Sequence, residues 1–106
     1  MNFGYRKLYV NGQLKDALEC KKYDIVCPGD ENVIAQIAWA SKQDAKDCLE
    51  SAKRGFEYWS NLSLADRSSW MMKLREEIIQ KRDFLREAIM YEMGKTWEVT
   101  DEDLTS

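Results

Sequence analysis

Cys20, Cys27 and Cys48 are the side chains here best suited to covalent chemistry, because a thiolate is a strong nucleophile. A nucleophile of that kind is usually activated by a neighbouring base, and the chain has no histidine. The commonest general base and the commonest metal ligand are therefore missing, and with them every Ser-His or Cys-His arrangement. The cysteines are odd in number and no two form a CxxC pair, so neither a disulfide framework nor a zinc site is expected. Catalysis within these residues would have to run on carboxylates or lysines alone, and no carboxylate pair stands apart from helix-surface charge. Gly4, Gly12, Gly29, Gly55 and Gly94 are too dispersed for a dinucleotide fingerprint or a phosphate loop. On its residues alone the chain reads as a soluble α+β domain with no visible active site.

Composition narrows the partners. At 106 residues the chain is at most one small domain. A hydrophobic content of 44% with 33% charged residues fits a globular chain rather than a disordered one. The net charge is −3, and the basic residues occur as scattered pairs such as Lys21-Lys22, Lys53-Arg54 and Lys81-Arg82 rather than as one stripe. That argues against nucleic acid. No apolar run approaches membrane-spanning length and no signal-peptide core opens the chain, so the expectation is a cytoplasmic protein with no membrane partner.

The elements that must position any site divide into two parts. Residues 1–40 read as β-hairpins. Lys7-Leu8-Tyr9-Val10 alternates and meets Asn11-Gly12, a strong hairpin signal because both residues tolerate positive φ. Gln13-Leu14-Lys15 returns, Tyr23–Val26 forms a further strand before Pro28-Gly29-Asp30, and Val33–Trp39 forms a fourth. Residues 41–95 read as helices. Ser41 and Asp44 resemble a capping box. Ala45, Cys48, Leu49, Ala52, Phe56 and Trp59 then recur every three or four residues, one apolar stripe in which Cys48 reads as a small buried apolar residue. Ser63 and Asp66 open a second helix whose apolar face carries Trp70, Met71, Leu74 and Ile78, expected in the core. A bend near Gln80-Lys81-Arg82 precedes a restart at Asp83, and Gly94 suits the left-handed position that closes a helix.

Residues 96–106 read as a helix start without a body. Thr96 or Thr100 can cap it, and Glu98, Asp101, Glu102 and Asp103 suit the positive end of the dipole. The expectation is a piece of a longer protein, with a frayed acidic tail as the alternative.

The order of several motifs points to a family. Leu8-Tyr9-Val10-Asn11-Gly12 resembles the opening strand and turn of the aldehyde dehydrogenase superfamily, and Asp24-Ile25-Val26-Cys27-Pro28 resembles its short strand ending in Asn-Pro. Ala52-Lys53-Arg54-Gly55-Phe56-Glu57-Tyr58-Trp59 resembles its helix ending Ala-x-x-Ala-Phe-x-x-Trp. Asp66-Arg67 resembles its Glu-Arg helix start, and Glu92-Met93-Gly94-Lys95 its Glu-x-Gly-Lys closure. Five matches in order cover nearly the whole chain. Departures are Cys27 through Asn32 in place of Asn-Pro-x-x-Gly-Glu, Gly55 for alanine, and Thr96 for proline.

The resemblance implies an α/β fold: hairpins and long amphipathic helices forming the outer layer of a Rossmann-type cofactor domain, with residues 1–106 its N-terminal part. It implies a parent enzyme that oxidises an aldehyde to an acid with NAD or NADP, by way of a cysteine nucleophile and a glutamate-activated water. Those catalytic and cofactor residues would lie downstream, and none of Cys20, Cys27 or Cys48 matches the nucleophile motif. No catalytic or cofactor-binding residue, and no cofactor, is expected in this segment. The partners implied are the remainder of the parent chain and further copies in a homo-oligomer. Resemblance also places a structural cation at Glu92 and the main-chain carbonyl of Ile25 or Val26; Glu92 as a last-turn surface acid is the alternative. A different class of reading is a free-standing, non-catalytic helical module that buries its stripes by self-association.

Overall fold

The computed structural model describes residues 2–106. Five strands precede four helices: β1 (Tyr5–Arg6), β2 (Leu8–Val10), β3 (Gln13–Lys15), β4 (Lys22–Val26), β5 (Val33–Ala38), α1 (Lys42–Ser60), α2 (Leu64–Gln80), α3 (Arg82–Met93) and α4 (Trp97–Thr105). The class is mixed α/β. No helix is long and apolar enough to cross a membrane among the described residues.

Asn11 at φ 53° and Gly12 at φ 76° make the tight turn that pairs β2 with β3. The larger sheet has the order β1-β5-β4, with β5 antiparallel to β4 and parallel to β1. One strand more is present than the four expected. β1 is two residues long, too short to show a period, and exists because β5 offers it a free edge. Ile34 and Ala38 lie on one side of β5 and are buried, while Gln36 between them donates from Nε2 to Asp24 Oδ1 across the strand pair at 2.9 Å.

The helix boundaries follow local chemistry. Ser41 and Asp44 form the capping box of α1, and Ser63 accepts the Asp66 N–H at the start of α2. The bend falls at Lys81, and Asp83 lies in the first turn of α3. Gly94 ends α3 at φ 68°, and a Cβ there would sit 3.6 Å from Pro28. The acidic start does have a body: Thr96 caps the nine-residue α4, correcting the expectation of a start without one. Arg82 Nη2 holds α4 through Asp101 Oδ1 at 2.7 Å and Thr105 Oγ1 at 2.9 Å.

Packing departs most from the sequence expectation. Cys48 is exposed, and so are Leu49, Phe56, Trp70, Met71 and Leu74, which the stripes placed in the core. What α1 turns inward is polar: Asp44 is buried and Asp47 and Ser51 are half-buried. Asp44, 2% exposed, accepts from the Ser41 N–H at 2.8 Å, the Ser41 hydroxyl at 2.9 Å and the Leu18 N–H at 3.2 Å. Of the apolar side chains, Ala17, Cys27, Ile34 and Ala38 are buried. The molecule is a slab 47 × 37 × 16 Å with a radius of gyration of 16.8 Å, against roughly 13 Å for a compact chain of this length.

Two measurements check these local devices. Ser41→Ala lowers stability by about 1 kcal/mol, and Asp44→Ala lowers the unfolding midpoint further because it also frees the Leu18 N–H, whose amide exchange quickens. The Ser41 backbone bond, with the other donors, holds the Asp44 carboxyl below the usual carboxylate range despite its burial. The unfolded chain therefore binds that proton more readily. The Asp44 contribution is complete above about pH 4 and is lost as pH falls below it, so wild type and Asp44→Ala converge in acid. Gly94→Ala destabilises by roughly 1–2 kcal/mol through its left-handed backbone, since Pro28 is at ordinary contact distance; a denaturant titration reads this.

Candidate functional site

The three cysteines do not converge. Cys20 sits at φ 55° in the turn before β4 and is exposed, Cys27 is buried after β4, and Cys48 lies exposed on α1. Among the described residues no three acids, cysteines or histidines gather where they could hold a metal ion.

A half-open concavity lies between the sheet and α3. It measures about 330 Å³ and is lined by Phe3, Arg6, Ile25, Ile34, Ala35, Ile37, Phe84, Ala88 and Glu92. Phe84 packs edge-on against Phe3 with centroids 5.9 Å apart, and the Arg6 guanidinium lies 5.5 Å from the Phe84 centroid. The cavity is thus an apolar pocket with one cation and one carboxylate in its wall. Two of the expected cation-site residues meet here, Ile25 from β4 and Glu92 from the last turn of α3. Val26 lies at the register shift that ends β4, outside the lining. A hard cation takes six or more oxygens, and the side chains of this wall supply one carboxylate, with the Arg6 cation lining the same space. The residues present do not by themselves fit a cation.

Two other features escaped the sequence reading. Phe3 and Arg6 line the cavity from a segment too short to show periodicity. Arg82 and Arg86, one turn apart on α3, face α4. The Asp101 carboxyl between them is held below the usual range, chiefly by the Arg82 hydrogen bond. Arg86 lies over Trp97 at 4.0 Å from the ring centroid and reaches Asp83 at 2.9 Å and Asp101 at 3.4 Å, while its buried Nε lacks a partner. The i, i+4 spacing of the two arginines and the acids of α4 were the visible signal.

Residues 15–106 match the aldehyde dehydrogenase family. The chain belongs to that family. It is 32% identical over 93 residues to 3,6-anhydro-alpha-L-galactose dehydrogenase of Vibrio sp. (strain EJY3), which takes in 88% of this chain and 19% of that protein. Against the probable methylmalonate-semialdehyde/malonate-semialdehyde dehydrogenase of Drosophila pseudoobscura pseudoobscura it is 30% identical over 90 residues, 85% of this chain and 17% of the relative. The chain thus spans about a fifth of the length of these family members. Its fold superposes on betaine aldehyde dehydrogenase of Staphylococcus aureus in complex with NAD+ with a TM-score of 0.89, at 24% identity, covering 94% of this chain and 20% of that one. A 3,6-anhydro-L-galactose dehydrogenase structure with NADP gives 0.88 at 26% identity, covering 94% and 21%.

The expected cation site has a direct readout. Calorimetric titration of the chain with Na⁺, K⁺, Mg²⁺ or Ca²⁺ shows no saturable uptake, and Glu92→Gln leaves the unfolding midpoint unchanged in each salt. A saturable heat that Glu92→Gln abolishes would establish a cation cage.

Proposed function

We propose that this chain is the N-terminal part of an NAD(P)-dependent aldehyde dehydrogenase, which oxidises an aldehyde to a carboxylic acid through a cysteine thiohemiacetal. The observation that carries the reading is the family match over residues 15–106. Family structures with NAD+ and NADP support the cofactor class for the whole enzyme. The segment supplies framework rather than chemistry: β-hairpins and helices laid beside a nucleotide-binding sheet. Its own residues bind no nicotinamide and attack no carbonyl, since its cysteines lie apart, no histidine serves them as base, and its glycines form no phosphate loop. A cytoplasmic, homo-oligomeric enzyme belongs to the same proposal.

The exposed stripes of α1 and α2 favour one other reading, a non-catalytic module that covers them by self-association. Light scattering with amide exchange separates the two. A well-protected, monodisperse dimer supports the module; a loosely protected, aggregating chain supports a segment of the enzyme. The catalytic question is decided by incubating the 106-residue chain with short aldehydes and NAD or NADP. No reduced nicotinamide accumulates. Sustained turnover would show that the segment carries an active site of its own.

A further inference from the structure

The turn at Asn11-Gly12 carries a chemistry of its own. Of the asparagines, Asn11 alone precedes a glycine; Asn2, Asn32 and Asn61 precede Phe3, Val33 and Leu62. The amide carbon of an asparagine is an electrophile that the next residue's backbone nitrogen can attack, and this makes the side chain thermolabile. A glycine removes the side-chain bulk that shields that nitrogen. Asn11 and Gly12 are both exposed, and a Cβ built on Gly12 would meet nothing within 4 Å. Two of the other amides are also tied in place: Asn2 Oδ1 accepts the Gly4 N–H at 2.8 Å, and Asn61 Nδ2 donates to the Glu57 carbonyl at 2.8 Å.

The closed turn forbids that attack. Positive φ at both residues is type I′ geometry, which sets ψ of Asn11 at about +30°. At that ψ the Gly12 nitrogen stands on the far side of the Cα–C bond from Cβ, whereas ring closure requires the two to be eclipsed. The hairpin must therefore open first, and little resists it. β2 and β3 are three residues each and, among the described residues, pair with no strand but each other. A two-stranded hairpin of that kind is marginal in water. Tyr9 and Leu14, opposite one another across the pair, are 70% and 68% exposed, so they add little apolar cover.

We propose that Asn11-Gly12 is a self-modification site, a one-way switch that releases the hairpin of β2 and β3. In the open hairpin the Gly12 nitrogen loses its proton and forms a bond to Asn11 Cγ. The Cγ–Nδ2 bond breaks, and ammonia leaves with that proton. Water then opens the cyclic imide. Opening at the side-chain carbonyl leaves aspartate; opening at the main-chain carbonyl leaves isoaspartate, whose backbone runs through Cγ. No electrons change hands, and water is the only co-reactant. Either product adds a negative charge to a chain of net charge −3. Isoaspartate also adds a carbon to the turn, so Val10 and Gln13 no longer pair in their register.

The test incubates the 106-residue chain in mildly alkaline buffer at body temperature. Each asparagine is read by peptide mass spectrometry, with chromatography to separate aspartate from isoaspartate. Asn11 converts while Asn2, Asn32 and Asn61 stay intact; conversion at Asn11 no faster than at the others overturns the site. Denaturant too dilute to unfold α1 quickens the exchange of the Val10 and Gln13 amides, and conversion quickens by the same factor. A rate that stays flat overturns the gating by the hairpin. Tyr9→Cys with Leu14→Cys places a disulfide across a directly opposed pair. With that link formed and confirmed by mass, conversion slows roughly tenfold or more, and it recovers on reduction. The wild-type rate in the cross-linked chain overturns the gating as well. In the isoaspartate product the Val10 and Gln13 amides exchange as in unstructured chain while α1 keeps its protection. Hairpin amides that stay protected overturn the switch.

Discussion

Asp44 ties the β-part of the chain to its helical part. Its carboxylate accepts two bonds from Ser41, which starts α1, and one from the Leu18 N–H in the turn after β3. Burial alone raises a carboxyl pKa, because it penalises the charged form. Here the donors prevail, and the group stays ionised. A charge this deeply placed is tolerated only while its donors stay in position, since losing any one leaves an uncompensated polar group out of water. The geometry of Ser41, Leu18 and the first turn of α1 is therefore fixed as a unit, and the direction in which α1 leaves the sheet follows from it.

That direction explains the thinness of the molecule. A helix anchored by hydrogen bonds need not bury its apolar side to stay in place, so α1 presents its stripe outward. Ala17, Cys27, Ile34 and Ala38 are small or lie at the sheet, and among the described residues no large apolar side chain of a helix is buried with them. The slab is held instead by local devices: the hairpin turn at Asn11-Gly12, the caps at Ser41, Ser63 and Thr96, and the arginine pair that grips Asp101. Most are worth about a kilocalorie per mole each, against a folding free energy of about 5–15 kcal/mol for ordinary domains. Burial of the stripes in a larger fold would supply what these devices do not.

The same division decides what was legible in the sequence. Ser41-x-x-Asp44, Asn11-Gly12, the bend at Lys81 and Gly94 were readable because their chemistry spans four residues or fewer. The order of strands and helices followed, and the family motifs lay on those elements. Burial was not readable. A stripe of spacing three and four shows that a helix has an apolar side, but not that the side is covered within the same 106 residues; Cys48 was misplaced for that reason. β1 and the grip of Arg82 and Arg86 on Asp101 depend on segments distant in the chain, where no local period points to the partner. Asp44 was read as a cap, and its longer reach to Leu18 was invisible for the same reason.

The cavity under α3 brings residues of two family motifs to one space. Glu92 and Ile25 line the same space, and Gly94 closes α3 at ordinary contact distance from Pro28. The Gly-Lys closure thus has a structural explanation in its backbone. A left-handed glycine ends the helix, and a proline without an N–H packs against it. Arg6, from the strand that β5 recruits, faces the same space as Glu92 and supplies a positive charge there. The left-handed conformation at Gly94 is one constraint these residues satisfy in this chain.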